Sequence, residues 1–449
     1  MVRETSNVKR ELDHLIRQSF SGEGASLALK AHECAGQQFG AALAEYTRLA
    51  ELLLRQRADY ITVTAALLTP LRQRGCLTAQ EIRSLFGKPV AGLVERVYAG
   101  RELRTDTPAH YGRDLRLFLR SISHDIRTVV LRLGIRLVEL EKIAGQNGAD
   151  HRDLARETLN LYVPLADRMG MGAIRTRMED ASFHVLEPEI YAALAQSVEP
   201  IRAEDKVALE LVRGGVEQFL AEHGIKGTVY GRTKGLYSIY RKMNRLDSSL
   251  AEVMDRIGLR IVVPSVEECY AVLGLVHTHF RPIPGTFDDY IGLPKENGYQ
   301  SLHTCVYPAP DISYKPVEFQ IRTEAMHQEA EFGVAAHWRY KSSAEMEADS
   351  ASKLRWLHNL LAQQDESIDQ AEFIQSLHRQ VSDDRLVVFD GAGRPIRLPA
   401  GATVRDLTGA EHRARVNGAP RQRDYPLQDG DTVEILHQQQ TLTQNLDVV

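Results

Sequence analysis

The stretch GRTKGLYSIYRKM, residues 231–243, packs four cations, one serine and two glycines into thirteen residues. It follows a short β-branched run at 227–230 and continues at helical spacing, so it reads as a turn from strand into helix. A helix entered this way offers backbone N–H groups to an anion, here alongside Arg232, Lys234, Ser238, Arg241 and Lys242. The spacing is neither that of a Walker A loop nor G-x-G-x-x-G, so those phosphate-binding folds are not supported. Alone, the stretch would pass for a solvated basic helix face.

Its surroundings argue otherwise. From Lys226 to Arg260 eight basic residues face three acids, a local +5 inside a chain of 449 residues whose formal charge is −5. Asp255 stands immediately before the run RIGLRIVV, and Glu318 lies within the alternating run VEFQIRT. Two carboxylates beside a polycationic phosphate site suit Mg²⁺, which takes one or two protein carboxylates and otherwise substrate phosphates. Between them, DDYIGLPKENGYQSLHT (288–304) supplies Lys295, Asn297, Tyr299, Gln300 and His303. A tyrosine beside amide side chains is suited to stacking on a base and bonding its edge.

The chain's texture divides it. Up to about residue 195 it reads as helical, with helices expected at 41–57, 60–71, 79–85, 89–98, 109–122 and 125–143; Thr78 and Glu81 form a capping box. Strand-like runs follow at 227–230, 256–263, 304–307 and 317–322. Residues 341–382 read as a helical linker, and strands return at 385–389, 394–398 and 432–436. About three domains fit the length. The composition, 43% hydrophobic and 26% charged, excludes wholesale disorder, collagen and a coiled-coil rod. No apolar run approaches a membrane span and the N-terminus is too polar for a signal peptide, so a cytoplasmic protein with no membrane partner is expected. Cys34, Cys76, Cys269 and Cys305 lie far apart, which excludes a zinc knuckle or disulfide framework.

GRTKGLYSIYRKM, DRIGLRIVV, DDYIGLPKENGYQSLHT and VEFQIRTEAMHQEAEFGVAAHWRYK together resemble the synthetase domain of the RelA/SpoT homologue family, over roughly residues 200–342. The resemblance implies a nucleotidyltransferase-like mixed sheet flanked by helices. It also implies transfer of the β,γ-pyrophosphate of ATP to the 3′-hydroxyl of GDP or GTP, giving (p)ppGpp and AMP. By motif, Arg232 and Arg260 would sandwich adenine, while Lys234, Ser238, Arg241 and Lys242 would hold ATP phosphates. Asp255 would bind Mg²⁺, and Glu318 would join the metal shell or accept the 3′-hydroxyl proton. Tyr299 would stack on guanine, with Lys295, Asn297, Gln300 and His303 around the acceptor. The loop Thr286-Phe287-Asp288-Asp289 resembles the acidic form of synthetase-only members, with Thr286 replacing their usual Glu.

The same family carries an N-terminal helical HD domain that hydrolyses the product. Here the expected L-L-H-D reads AALLTPL, with Thr69 and Pro70 at the ligand positions, and Ile135 replaces a later Asp. A degenerate HD domain without hydrolase activity is therefore expected at 1–195, the synthetase domain at 196–342 and the linker at 343–383. The His124-Asp125 pair falls in another helix and reads as a solvated or capping pair. His32 is either a remnant ligand or a surface residue, and His277 and His279 read as core or surface positions. Residues 384–437 resemble a shortened, β-grasp-like TGS domain, with His412 at a position implying contact with uncharged tRNA on the ribosome; 438–449 is a tail. Two other readings remain: a catalytically silent nucleotide-binding regulator, and a pyrophosphotransferase acting on an adenine nucleotide or a tRNA 3′ end.

Overall fold

The computed structural model describes residues 2–39, 43–99, 125–146, 148–246, 250, 257–295, 297–307, 316–334, 385–399, 402–408, 413–428 and 430–436. The expected helix at 109–122, the linker, His124, His337, Trp338 and the tail lie outside them. Two compact units emerge, Met1–Gln370 and Ala371–Val449.

The first unit begins with helices α1 (Val2–Ser19), α2 (Gly22–Phe39), α3 (Leu43–Arg55), α4 (Tyr60–Gln73) and α5 (Ala79–Ala99). Local chemistry sets their ends. The Asp59 carboxylate accepts from Thr62 N at 2.8 Å to start α4, and the Thr78–Glu81 box opens α5. Gly87, at φ 86°, breaks α5 where the sequence suggests two helices. Asp125 caps α6 (Ile126–Ile143) by accepting from Arg127 N, and it pairs with Arg96 and Arg127. The capping reading of this position holds. His32 is not at the surface: it is fully buried on α2, 2.8 Å from Asp13 Oδ1.

After α7 (Ala149–Glu157), a π-turn (Thr158–Tyr162) and α8 (Val163–Arg168), α9 (Gly172–Leu186) leads into α10 (Pro188–Glu222). This helix of 35 residues runs unbroken past residue 195. The boundary expected there falls inside this helix.

The sheet is built from β1 (Thr228–Thr233), β2 (Ile257–Val263), β3 (Arg281–Pro282), β4 (Asp288–Asp289), β5 (Leu302–Tyr307) and β6 (Val317–Thr323). Its order is β1-β2-β6-β5-β3, with β4 also on β5; β2 and β6 run parallel and the remaining pairs antiparallel. Between them lie α11 (Leu236–Leu246) and α12 (Val266–His279), and α13 (Glu324–Phe332) follows β6. Period-two alternation gives the sheet two unlike faces. Leu259, Ile261, Leu302, Phe319 and Ile321 pack with Val212, Val216 and Phe219 of α10 and Val272 and Val276 of α12. Each such side chain contributes roughly 1.5–3 kcal/mol by burial. The other face is polar.

The helical half touches this sheet domain at several places, and the turn after α8 makes the closest approach. Met169 O accepts from Val334 N at 3.1 Å, and Asp167 O accepts from Asn297 Nδ2 at 3.2 Å. Gly333, at φ 55°, lies so close that an added Cβ would sit 2.2 Å from Met169 O. Arg57 stacks over the Phe332 ring at 4.8 Å. Among the described residues no helix is long and apolar enough to cross a membrane.

The second unit is a five-stranded mixed sheet, ordered β10-β9-β11-β7-β8. Its strands are β7 (Arg385–Asp390), β8 (Pro395–Pro399), β9 (Arg413–Val416), β10 (Ala419–Arg421) and β11 (Thr432–Leu436), with α14 (Val404–Thr408) between β8 and β9. Only β11 and β7 pair in parallel. Val388, Val404, Ala414, Val416 and Val433 form its core.

Gly333→Ala should cost about 1–3 kcal/mol, because positive φ and a backbone clash act together. Thermal unfolding should shift down by roughly 2–10 °C; an unchanged midpoint would show that the Met169–Gly333 approach is not held in solution.

Candidate functional site

The polar face of the sheet collects the sequence-predicted residues by strand register. Tyr230 and Arg232 on β1 face Arg260 and Gly258 on β2; Gly258 and Arg260 face Glu318 and Gln320 on β6; His303 of β5 faces Gln320. Arg322, two residues beyond Gln320, completes the row. It is only 1% exposed.

Two of these guanidinium groups share one carboxylate. Glu331 Oε1, from α13, lies 2.8 Å from Arg260 Nη1 and 3.2 Å from Arg322 Nη2. Arg322 Nη2 also reaches His327 Nδ1 at 2.8 Å, and His327 stacks on Tyr230. Burial, with Arg260 nearby, lowers Arg322 to about 10, and burial likewise lowers Arg260; both remain cationic at neutral pH. Arg260 Nε, Arg322 Nε and Gln320 Oε1 are buried with no hydrogen-bond partner among the described residues. Among the described residues, four cations (Arg232, Arg260, Arg322, Lys295) meet three carboxylates, Glu318, Glu331 and Asp288, which faces His303 across β4 and β5. Such a surface favours an anion.

His303 records the same field. Burial, followed by Lys295, Arg232, Arg322 and Arg260, lowers its pKa from 6.5 to about 3, so the ring is neutral. The Tyr299 hydroxyl lies 2.8 Å from His303 Nε2, and His303 Nδ1 lies 3.6 Å from Glu318 Oε1. A neutral ring accepting from Tyr299 turns its Nδ1–H towards Glu318. The Tyr299 ring sits among cations, 5.8 Å from Lys295 Nζ and 5.9 Å from Arg322 Cζ.

Two expected acceptor contacts are engaged elsewhere. Asn297 donates to Asp167 O and accepts from Tyr299 N, while Gln300 donates to Ile291 O at 3.2 Å. These amides hold the loop that presents Tyr299, because a turn this irregular needs side chains to satisfy its backbone.

The phosphate stretch folds as expected, β1 leading into α11, with Lys234, Ser238, Arg241 and Lys242 at the turn and on the helix. Its free N–H groups do not remain open. Asp180 of α9 takes Tyr237 N at 2.8 Å and also bonds Leu236 N. Asp180, Glu331, Arg322 and His327 escaped the sequence reading. The last three share β6 and α13 with Glu318, and the period-two row 318, 320, 322 was the available signal.

Asp255 and His412 lie outside the described residues. Glu318 fits a divalent cation: Gly258 opposite it has no side chain, and a Cβ there would stand 3.7 Å from Glu318 Oε2. Among the described residues no three of His, Cys, Asp or Glu cluster as a metal site. His277 Nε2 lies 2.9 Å from Thr304 Oγ1, and His279 Nδ1 donates to Leu275 O, matching the structural reading of both.

An all-helical half joined to a mixed-sheet domain with a cationic polar face is the class this fold defines. A family model described as the region found in RelA/SpoT proteins matches residues 231–345, and one for the HD domain matches 25–172. The chain is 36% identical over 410 residues to the GTP pyrophosphokinase of Escherichia coli K12, covering 87% of this chain and 55% of the relative. It is 37% identical over 395 residues to the bifunctional (p)ppGpp synthase/hydrolase SpoT of the same strain, covering 86% and 56%. The chain thus spans about half the length of the curated relatives it matches. Small alarmone synthetase 1 of Bacillus subtilis aligns at 24% identity and a TM-score of 0.28, covering 37% of this chain and 93% of that one. The chain belongs to the RelA/SpoT family and carries both its RelA/SpoT region and an HD domain.

His303 yields a pH prediction. Its folded pKa near 3 lies below the ordinary 6.5, so the unfolded chain binds the proton first as pH falls. Stability from this group is full above 6.5 and declines towards pH 3; His327, lowered to about 4 by burial and Arg322, acts in the same direction. His303→Asn should lose less stability than the parent between pH 7.5 and 5 in denaturant melts. Parallel pH slopes would contradict the neutral buried ring.

Proposed function

We propose that this protein transfers the β,γ-pyrophosphate of ATP to the 3′-hydroxyl of GDP or GTP, producing (p)ppGpp and AMP, and does not hydrolyse the product. The observation that carries the reading is the row of cations on the polar sheet face, with Arg322 buried and Arg260 largely so, beside Tyr299 and Glu318. Relatives named GTP pyrophosphokinase and (p)ppGpp synthase/hydrolase support it.

In this reading the acceptor 3′-oxygen attacks the β-phosphorus of ATP, the bond from that phosphorus to the α,β-bridging oxygen breaks, and AMP leaves with that oxygen. Arg232 and Arg260 flank adenine, and Lys234, Ser238, Arg241 and Lys242 hold phosphates. Tyr299 stacks on guanine, with Lys295 and His303 beside it and Asn297 and Gln300 holding its loop. Glu318 accepts the hydroxyl proton. Asp255 and Glu318 would hold Mg²⁺, which when bound neutralises phosphate charge. Catalysis is then mostly positioning and charge neutralisation.

Thr69, Pro70 and Ile135 support the loss of hydrolysis, since none can ligate a metal as His or Asp does. The Thr69 hydroxyl, moreover, is buried and donates to Ala65 O at 2.7 Å. The second unit reads as a TGS domain, supported by its parallel β7–β11 pair, with uncharged tRNA and the ribosome as partners and His412 as a contact. Work in the cytoplasm, in the stringent response, follows from the same reading.

Incubation with ATP, Mg²⁺ and GDP should yield AMP and ppGpp in equal amounts; absence of AMP would sink the transfer. Glu318→Gln should lower kcat about 10²–10⁴-fold with a non-hydrolysable ATP analogue still bound. A loss seen instead in Mg²⁺ affinity would make Glu318 a metal ligand only.

A further inference from the structure

The start of α11 is held from the other half of the protein. Asp180 Oδ1 accepts from Tyr237 N at 2.8 Å across 57 positions of sequence, and the same carboxylate bonds Leu236 N. Gly235 makes the approach possible: a Cβ there would lie 2.9 Å from Asp180 Oδ2. Around this cap the helical half grips the rest of the stretch. Arg202 Nη2 donates to Lys234 O at 3.3 Å, Leu209 packs against Gly231, and buried Glu179 lies in the field of Arg241 and Arg175.

Such a carboxylate occupies the place where a helix start would otherwise receive phosphate. The phosphates must then be met by the side chains of Lys234, Ser238, Arg241 and Lys242, and the direction of those side chains depends on how α11 is anchored. Burial raises the Asp180 pKa, with the Tyr237 and Leu236 N–H groups and Arg202 opposing the shift.

We propose that Asp180 is a positioning residue for ATP: by capping α11 from the helical half, it fixes the cationic side chains that take the triphosphate. This rests on the nucleotide reading above. The helical half is in this respect part of the ATP site. Conversely, if the carboxylate were a plug that ATP must expel, its removal would strengthen ATP binding.

The two cases separate by calorimetric titration of the full-length protein with a non-hydrolysable ATP analogue and, separately, with GDP. Asp180→Ala should weaken the analogue by about tenfold and leave GDP within about twofold. Asp180→Asn, which keeps the accepting oxygen, should stay within about twofold for both. Gly235→Ala, which displaces the carboxylate sterically, should behave as Asp180→Ala. Tighter analogue binding by Asp180→Ala, equal loss of both nucleotides, or no rescue by Asn would overturn the assignment. If the parent protein bound no ATP analogue, the nucleotide reading itself would fall, and the inference with it. Binding by the parent with an unaffected Asp180→Ala would overturn the inference alone.

Discussion

Buried positive charge on one face of a β-sheet is the constraint from which the rest of this structure follows. Arg260 and Arg322 lie largely out of water and share the single carboxylate of Glu331. A charge so placed costs several kcal/mol unless it is paired and hydrogen-bonded. Here the Nε atoms of both arginines have no hydrogen-bond partner among the described residues. The sheet sustains this because its opposite face is a continuous apolar core against α10 and α12. Stability on one face supports an unsatisfied site on the other.

The same field explains the neutral His303 and the cation-flanked Tyr299. It also explains why the helical half is not a detachable appendage. Between Asp167 and Asp180 that half touches the Tyr299 loop, the end of α13 and the start of α11. Three parts of one site are thereby referred to a common support.

Much of this was legible in the residues. The strand-like runs at 256–263 and 317–322 marked both central strands, and the capping signals at Thr78 and Asp125 marked helix starts. The two-residue strands β3 and β4 were not legible, since they are defined by pairing with β5 rather than by any pattern of their own. The cut expected at residue 195 falls inside α10, whose C-terminal half packs on the sheet. Asn297 and Gln300 were named as site residues by their position, yet their amides hold the loop. Asp180 was invisible for a simpler reason. A cap normally lies within three residues of the helix it starts, and this one arrives through tertiary structure.

The proposed enzyme works one way, its charged sheet face moving pyrophosphate from ATP to a guanine nucleotide. A pulse of ATP labelled at its γ-phosphate, with GDP and Mg²⁺, followed by a chase of unlabelled ATP, tests both parts together. Label should enter the 3′-position of the guanosine product and stay there. Label that fails to reach that product, or that returns as free pyrophosphate during the chase, would contradict it.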